Sequence, residues 1–269
     1  MSVLLIDAGN SRLKWAWLRG RYTPGMRFAR RGVLAHGEDL AAWLRGLARR
    51  GPIEAIHVSS VAGRKVDAAL RAAARAAGLP APRFARTQAR HGAVRNAYAE
   101  PWRLGVDRWL ALIGAQAEYP RRALCVVSIG TATTVDLIDG AGRHRGGVIA
   151  PAPALMVQSL LQGTAGIRRR AAASASARPT AALFARDTRA ALVAGAGHAT
   201  AALIERALRV ARVRSRLRPR LLLGGGGAEG VAALLASAFE WRDDLVLRGL
   251  AVVAAGAAGA TRTPARAAR

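Results

Sequence analysis

The chain has 269 residues, of which 52% are apolar and 22% charged, and this balance excludes wholesale disorder and collagen-like or low-complexity character. The single cysteine, Cys125, excludes an internal disulfide framework and any multi-cysteine metal site. The net charge of +26 invites a nucleic-acid interpretation. Arginine and alanine are spread along the whole chain, however, and aromatic residues make up only 5%, so specific nucleic-acid binding is not expected.

The chain also lacks the marks of export or membrane insertion. No uninterrupted apolar run reaches the ~18 residues that span a bilayer. The first ten residues have no basic segment, and Asp7 stands where a signal peptide needs apolar continuation. We therefore expect a cytoplasmic protein that contacts no membrane.

The first half of the chain opens with a predicted β-hairpin. Two apolar runs, 3–6 and 13–18, flank a turn of Gly9, Asn10 and Ser11, residues typical of tight turns. The pattern then predicts helices over 39–50 and 64–77, a buried strand over 53–58 between them, and a helix over 105–119.

The second half repeats this order of strand, small polar turn and strand. The pattern predicts a strand over 124–129, a turn over 130–133, and strands over 134–138 and 144–150. It then predicts helices over 153–163 and 188–212, a strand over 220–223, a helix over 228–238, a strand over 245–247 and a last helix from Arg248. Residues 166–182 are expected to form a mobile loop, and the tail after Thr261 is expected to fray. Alternating strands and helices predict an α/β fold. The repetition predicts two domains, 1–118 and 119–269, each with a β-sheet core flanked by helices and with a cleft between them.

The candidate catalytic and binding residues lie in two turns and at the start of one helix. Asp7 and the turn after it combine an oxygen ligand for Mg²⁺ with donors for phosphate oxygens, although an ordinary hairpin uses the same residues. The turn 130–134, rich in glycine and threonine, offers N–H groups and hydroxyls to phosphate. Asp107 is either a cap at the helix N-terminus or a general base, and Arg108 is either its solvent-facing neighbour or an anchor for an anion or a hydroxyl. The five histidines show no metal-ligand spacing, and no nucleophile-elbow motif is present.

The order of these motifs resembles that of the type III pantothenate kinases. The matching stretches are 7–14, 96–98, 104–108, 130–134 and 146–151, followed by 187–188, 195 and 223–226. The resemblance implies two ribonuclease-H-like domains of the acetate and sugar kinase, Hsp70 and actin superfamily. It also implies a homodimer that uses ATP to phosphorylate pantothenate to 4′-phosphopantothenate, the first step of coenzyme A biosynthesis. The alternatives are a kinase of the same superfamily acting on another alcohol, such as a sugar, and a non-catalytic nucleotide-binding regulatory protein.

The resemblance also implies a role for each matching residue. Asp107 corresponds to the catalytic base, and Asp7 is the expected ligand of Mg²⁺. The implied ATP and phosphate contacts are Asp7, Ala8, Gly9, Asn10, Ser11, Arg12, Leu13, Lys14 and Thr131. The implied pantothenate contacts are Tyr98, Gly105, Val106, Asp107, Arg108 and Thr188. Ser128 stands where many members carry an aspartate that binds a monovalent cation, so we expect K⁺ or NH₄⁺ to be less strictly required here.

Overall fold

A computed structural model describes residues 2–172 and 182–260. The strands are β1 (Ser2–Ala8), β2 (Arg12–Arg19), β3 (Arg30–Ala35), β4 (Ala55–Ser60), β5 (Arg83–Phe84), β6 (Arg90–His91), β7 (Val94–Arg95), β8 (Leu124–Ile129), β9 (Ala132–Ile138), β10 (His144–Pro151), β11 (Arg220–Gly224) and β12 (Phe239–Trp241). The helices are α1 (Leu40–Ala48), α2 (Arg64–Ala76), α3 (Val106–Glu118), α4 (Pro153–Gly163), α5 (Ala165–Ala172), α6 (Thr188–Arg214), α7 (Glu229–Ala232) and α8 (Leu245–Ala260). A 3₁₀ turn, Pro101–Arg103, precedes α3.

The strands build two five-stranded sheets of the same design. The first has the order β3-β2-β1-β4-β5 and the second β10-β9-β8-β11-β12. In the first sheet, β1 pairs antiparallel with β2 and parallel with β4. In the second, β8 pairs antiparallel with β9 and parallel with β11. This duplicated arrangement, with helices beside each sheet, confirms the predicted α/β class and its two ribonuclease-H-like folds.

The chain divides into two compact units, one of them Arg121–Asp243 and the other the preceding chain together with the segment from Asp244. The predicted domains differ from these units at the C-terminal end, because α8 packs against α3 of the first unit. A side chain at Gly114 would overlap the Leu245 carbonyl, and one at Gly249 would overlap the Leu110 carbonyl. These glycines therefore allow the two helices to approach closely.

The central strand of the first unit is covered on both faces. Its residues 3–6 are all 0% exposed, and Leu4 and Ile6 pack with Leu44 of α1 and Leu70 of α2. Burying each such side chain contributes roughly 1.5–3 kcal/mol. The last residues of β1 are thereby held on a rigid strand, which is what a site at its end requires.

Three predicted elements differ in the structure. Residues 245–247 begin α8 rather than forming a strand, since Arg248 donates its backbone N–H to the Asp244 carbonyl (2.9 Å) and pairs with the Asp244 side chain. The last strand of the sheet is 239–241 instead, and α7 is shorter than the predicted helix 228–238. Residues 166–172 of the expected mobile loop belong to helix α5, and residues 173–181 and the tail 261–269 lie outside the described part.

Within the described ranges, no helix combines the length and the apolar character needed to cross a membrane.

Candidate active site

Asp7 lies next to last on β1, between two polar neighbours on the flanking strands. The antiparallel register places it opposite Lys14 on β2, and the parallel register places it opposite Ser59 on β4. Asp7 is partly buried, whereas Ser59 is fully buried. Side chains at matched register positions point to the same face of a sheet. The fold therefore gathers a carboxylate, an ammonium group and a hydroxyl at one end of the first sheet.

The environment of Asp7 opposes its charge. Burial, and after it the negative charge of Asp107, raises the pKa of Asp7 to about 6, while Lys14 and the Ser59 hydroxyl act in the opposite direction. Asp107 must therefore lie close enough to repel Asp7. A buried carboxylate whose charge is opposed in this way suits a hard divalent cation, which prefers oxygen ligands. The residues present thus fit the expected Mg²⁺.

Asp107 is held at the start of α3. Its Oδ1 accepts the backbone N–H of Arg108 (2.8 Å), which satisfies one of the free N–H groups of the first helical turn. The N-cap is Gly105, which has no side chain to serve as a cap. A Cβ at residue 105 would stand 2.6 Å from Asp107 Oδ1. The absence of a side chain at Gly105 therefore leaves room for the carboxylate in this orientation.

Arg108 is buried rather than solvent-facing, so the solvent-facing alternative for it is wrong. Its side chain is 6% exposed, Nη1 donates to the Tyr98 hydroxyl (3.3 Å), and its guanidinium carbon is 5.9 Å from the Tyr98 ring centroid. The loop of Tyr98 is fixed by Asn96, whose Oδ1 accepts the Tyr98 N–H (3.0 Å) and whose Nδ2 donates to the Pro101 carbonyl (3.2 Å). The structure thus brings Tyr98, Asp107 and Arg108 together. Val106 is the first residue of α3.

The first predicted phosphate loop is the turn between β1 and β2. The Gly9 N–H donates to the Arg12 carbonyl (3.2 Å), and Asn10, Ser11 and Arg12 are exposed. Ala8 and Leu13, at either side of the turn, are core residues. Their contribution to a phosphate site is therefore limited to the backbone.

Sequence reasoning missed one contact of this loop. His36 Nε2 lies 2.9 Å from the Gly9 carbonyl oxygen, and because a carbonyl only accepts, Nε2 carries the proton in this contact. The pairing of Arg12 with Ala35 brings β3 beside β2 and places His36 there. A pattern based on spacing along the chain holds no signal for such a contact.

The second predicted phosphate loop belongs to the second unit. Its Gly130 N–H donates to the Ala132 carbonyl (3.0 Å), and Thr131 is exposed. The glycine run after β11 packs on this turn: Gly227 donates its N–H to the Ile129 carbonyl (2.9 Å), and Gly225 has a φ of +100°. A side chain at Gly225 would overlap the Ile129 backbone, whereas one at Gly130 would meet only the Ala132 oxygen at 4.0 Å. Of these two glycines, Gly225 is therefore the one that the fold itself requires.

Ser128 and Thr188 also lie in the second unit. Ser128 is exposed near the end of β8. Thr188 opens α6, whose N-cap Asp187 accepts the Ala190 N–H (2.9 Å). Thr188 lines a mainly apolar cavity of about 420 Å³ between α4, α5 and α6, with Met156, Leu160, Ile167 and Leu192 among its neighbours.

Comparison with known proteins decides the family. A sequence model described as type III pantothenate kinase matches residues 3–210. The chain belongs to this family. The type III pantothenate kinase of Cupriavidus taiwanensis is 40% identical over 274 residues, covering 93% of this chain and 97% of the relative. That of Nitrosococcus oceani is 35% identical over 257 residues, covering 94% and 93%.

Solved structures share the fold of this pantothenate kinase family member at much lower identity. A Campylobacter jejuni protein described as a Baf family transcriptional activator has a TM-score of 0.58 at 18% identity, covering 95% of this chain and 99% of its own. The activator of the 2-hydroxyisocaproyl-CoA dehydratase from Clostridium difficile, with bound ADPNP, has a TM-score of 0.55 at 12% identity and covers 100% of both chains. These two likenesses concern the fold alone.

Proposed function

We propose that this chain transfers the γ-phosphoryl group of ATP to the primary hydroxyl of pantothenate, forming 4′-phosphopantothenate for coenzyme A biosynthesis. The observation that carries the proposal is the Asp107 carboxylate, oriented by the Arg108 N–H beside Gly105 and close enough to Asp7 to raise its pKa. Membership in the type III pantothenate kinase family names the acceptor.

In the proposed reaction, Asp107 accepts the proton of the pantothenate hydroxyl as its oxygen attacks the γ-phosphorus in line with the departing ADP. A positioned base of this kind typically contributes about 10²–10⁴-fold. The P–O bond to ADP breaks as the new P–O bond forms, and the proton later leaves Asp107 for solvent. Asp7 would hold the Mg²⁺, which neutralises phosphate charge when bound.

Binding and orientation belong to the residues around this base. The buried guanidinium of Arg108 suits the carboxylate or a hydroxyl of pantothenate, and Tyr98, held against Arg108, would close the pocket. Thr188 is a further proposed pantothenate contact. On the nucleotide side, the turn after β1, Lys14 and Thr131 would contact the ATP phosphates through N–H groups, a cation and a hydroxyl.

We further propose that the chain acts as a homodimer through an apolar surface of the second unit. Helix α4 has no buried residue, although most of its residues are apolar. Ile149 on the edge strand β10 is 63% exposed, and Phe184 is 89% exposed. Large exposed apolar areas mark interaction sites.

Sedimentation of the wild type tests the dimer and should show two chains per particle. The double variant Ile149→Glu with Leu160→Glu should give monomers. A monomeric wild type contradicts this proposal.

The test of function is an assay of the purified protein with ATP, Mg²⁺ and pantothenate, set against acetate and against sugars and other small alcohols. ADP release is followed by a coupled reaction, and the phosphorylated product is identified by mass. We expect turnover with pantothenate and none with the sugars. Turnover of a sugar without pantothenate would establish the sugar-kinase alternative. Nucleotide binding with no turnover of any acceptor would establish the regulatory alternative.

A further inference from the structure

Ser59 is a polar neighbour of Asp7 to which the proposed reaction assigns no role. It lies next to last on β4, opposite Asp7 in the parallel pairing of β1 with β4. Its side chain is 0% exposed. The next residue, Ser60, is half-buried and donates its hydroxyl to Asp67 in the first turn of α2. Ser59 therefore lies beside Asp7, whereas Ser60 binds the start of α2.

The Ser59 hydroxyl is buried without a fully formed hydrogen bond. Within the described chain, Oγ has no hydrogen-bond partner of regular distance and angle. It nevertheless lies close enough to Asp7 to favour the ionised carboxylate. A buried hydroxyl that lacks a good partner is costly to the fold. Rotation of the neighbouring Asp7 carboxylate would let it accept the Ser59 hydroxyl and remove this cost.

The fold by itself does not require a hydroxyl at this position. In the second unit the residue opposite Ser128 on the parallel strand is Gly224, where a side chain would overlap the Arg242 carbonyl. The corresponding residue in the first unit is Ser59, opposite Asp7. The hydroxyl is therefore present in the unit that carries the carboxylate and absent from the unit that does not.

We propose that Ser59 is a positioning residue for Asp7, donating its hydroxyl proton to one carboxylate oxygen so that the other faces the metal and the phosphates. The inference rests on the proposed kinase function. It concerns a hydrogen bond that orients a ligand, and residues of this kind typically change metal affinity by about 10–100-fold when removed. Pantothenate contacts such as Arg108 and Tyr98 do not depend on it.

The test measures Mg·ADP binding by titration calorimetry, which needs no pantothenate. Ser59→Ala should weaken Mg·ADP about tenfold or more, and Ser60→Ala, the matched control, should leave the affinity unchanged. In steady-state assays, Ser59→Ala should raise the KM for Mg·ATP and leave the KM for pantothenate unaltered. Ser59→Thr, which retains the hydroxyl, should restore part of the affinity.

A double-mutant cycle separates positioning from a general packing effect. Once Asp7→Asn has removed the carboxylate, adding Ser59→Ala should cause little further loss of Mg·ADP affinity. Wild-type affinity in Ser59→Ala, equal losses in Ser59→Ala and Ser60→Ala, or full additivity with Asp7→Asn would each overturn the inference. Inactivity of the wild type toward pantothenate would instead overturn the proposed function, and the calorimetric result would stand apart from it.

Discussion

Asp7 and Ser128 occupy corresponding places in the two units, each two residues before the glycine of a turn between the first two strands of its sheet. Asp7 is flanked by Lys14 and Ser59, whereas Ser128 is flanked by Thr134 and Gly224. The backbone is repeated, but two of the three residues at this place in the first unit are charged, whereas all three in the second are neutral.

In the proposed reaction, this difference divides the work of phosphoryl transfer between the two copies of the fold. The first unit combines a carboxylate of raised pKa, a second carboxylate and a lysine, groups that hold cations and move protons. The second unit offers hydroxyls and backbone N–H groups on a turn braced by glycines. Such neutral donors suit phosphate oxygens without adding charge.

The largest expected effect concerns the proposed base in the first unit. Asp107→Asn should fold normally and lose about 10²–10⁴ in kcat, because an amide cannot accept the hydroxyl proton. Asp67→Asn is the matched control, since Asp67 is also an acid in the first turn of a helix that begins after a glycine. If both variants retained wild-type kcat, Asp107 would be no more than a helix-terminal acid.

The glycine that braces the second loop should show the next largest effect. Gly225→Ala combines a positive φ with overlap of the Ile129 backbone, and we expect a loss of about 2–4 kcal/mol of unfolding free energy. Gly146→Ala has nearly the same φ, +102°, with no atom near the added methyl, and should lose only about 1 kcal/mol. Urea denaturation measures both, and equal losses would mean that the contact with Ile129 contributes nothing.

Asp7 should reduce the stability of the metal-free protein as the pH rises. Its pKa goes from 3.8 to about 6 on folding, so the folded state loses stability relative to the unfolded chain between these values. Asp7→Asn has no such charge and should be more stable by roughly 1–3 kcal/mol at pH 8, with the gain vanishing below about pH 4. Urea denaturation in EDTA at both pH values checks this, and no gain at pH 8 would contradict it.

The smallest expected effect is at the neutral position of the second unit. A serine hydroxyl lacks the charge of a carboxylate, so the wild type should depend only weakly on K⁺ or NH₄⁺. Ser128→Asp should increase that dependence by less than about tenfold, since an exposed charge contributes about 1 kcal/mol or less. Assays in Na⁺, K⁺ and NH₄⁺ buffers measure it, and an absolute K⁺ requirement of the wild type would refute it.

Local patterns predicted the hairpin around Gly9 and its repetition around Gly130, because alternating apolar runs and turn residues lie within a few positions of each other. The apolar triplet 245–247 was assigned wrongly, since so short a run fits a strand or a buried helix equally well. Strand β3 begins with two arginines and was missed. Ser59 and His36 reach the site only through pairing between strands, which no short-range pattern contains.

The most direct test exchanges the two corresponding residues in one variant, Asp7→Ser with Ser128→Asp, and measures phosphorylation of pantothenate. Circular dichroism first establishes that the variant is folded. Because Lys14 and Ser59 pair with the first position and Asp107 acts on its charge, whereas Thr134 and Gly224 pair with the second, a carboxylate moved to the second unit should not replace the lost one. We predict that turnover falls by about 10²-fold or more, as far as in Asp7→Ser alone. Wild-type turnover in the exchanged variant would contradict the division of roles between the two units.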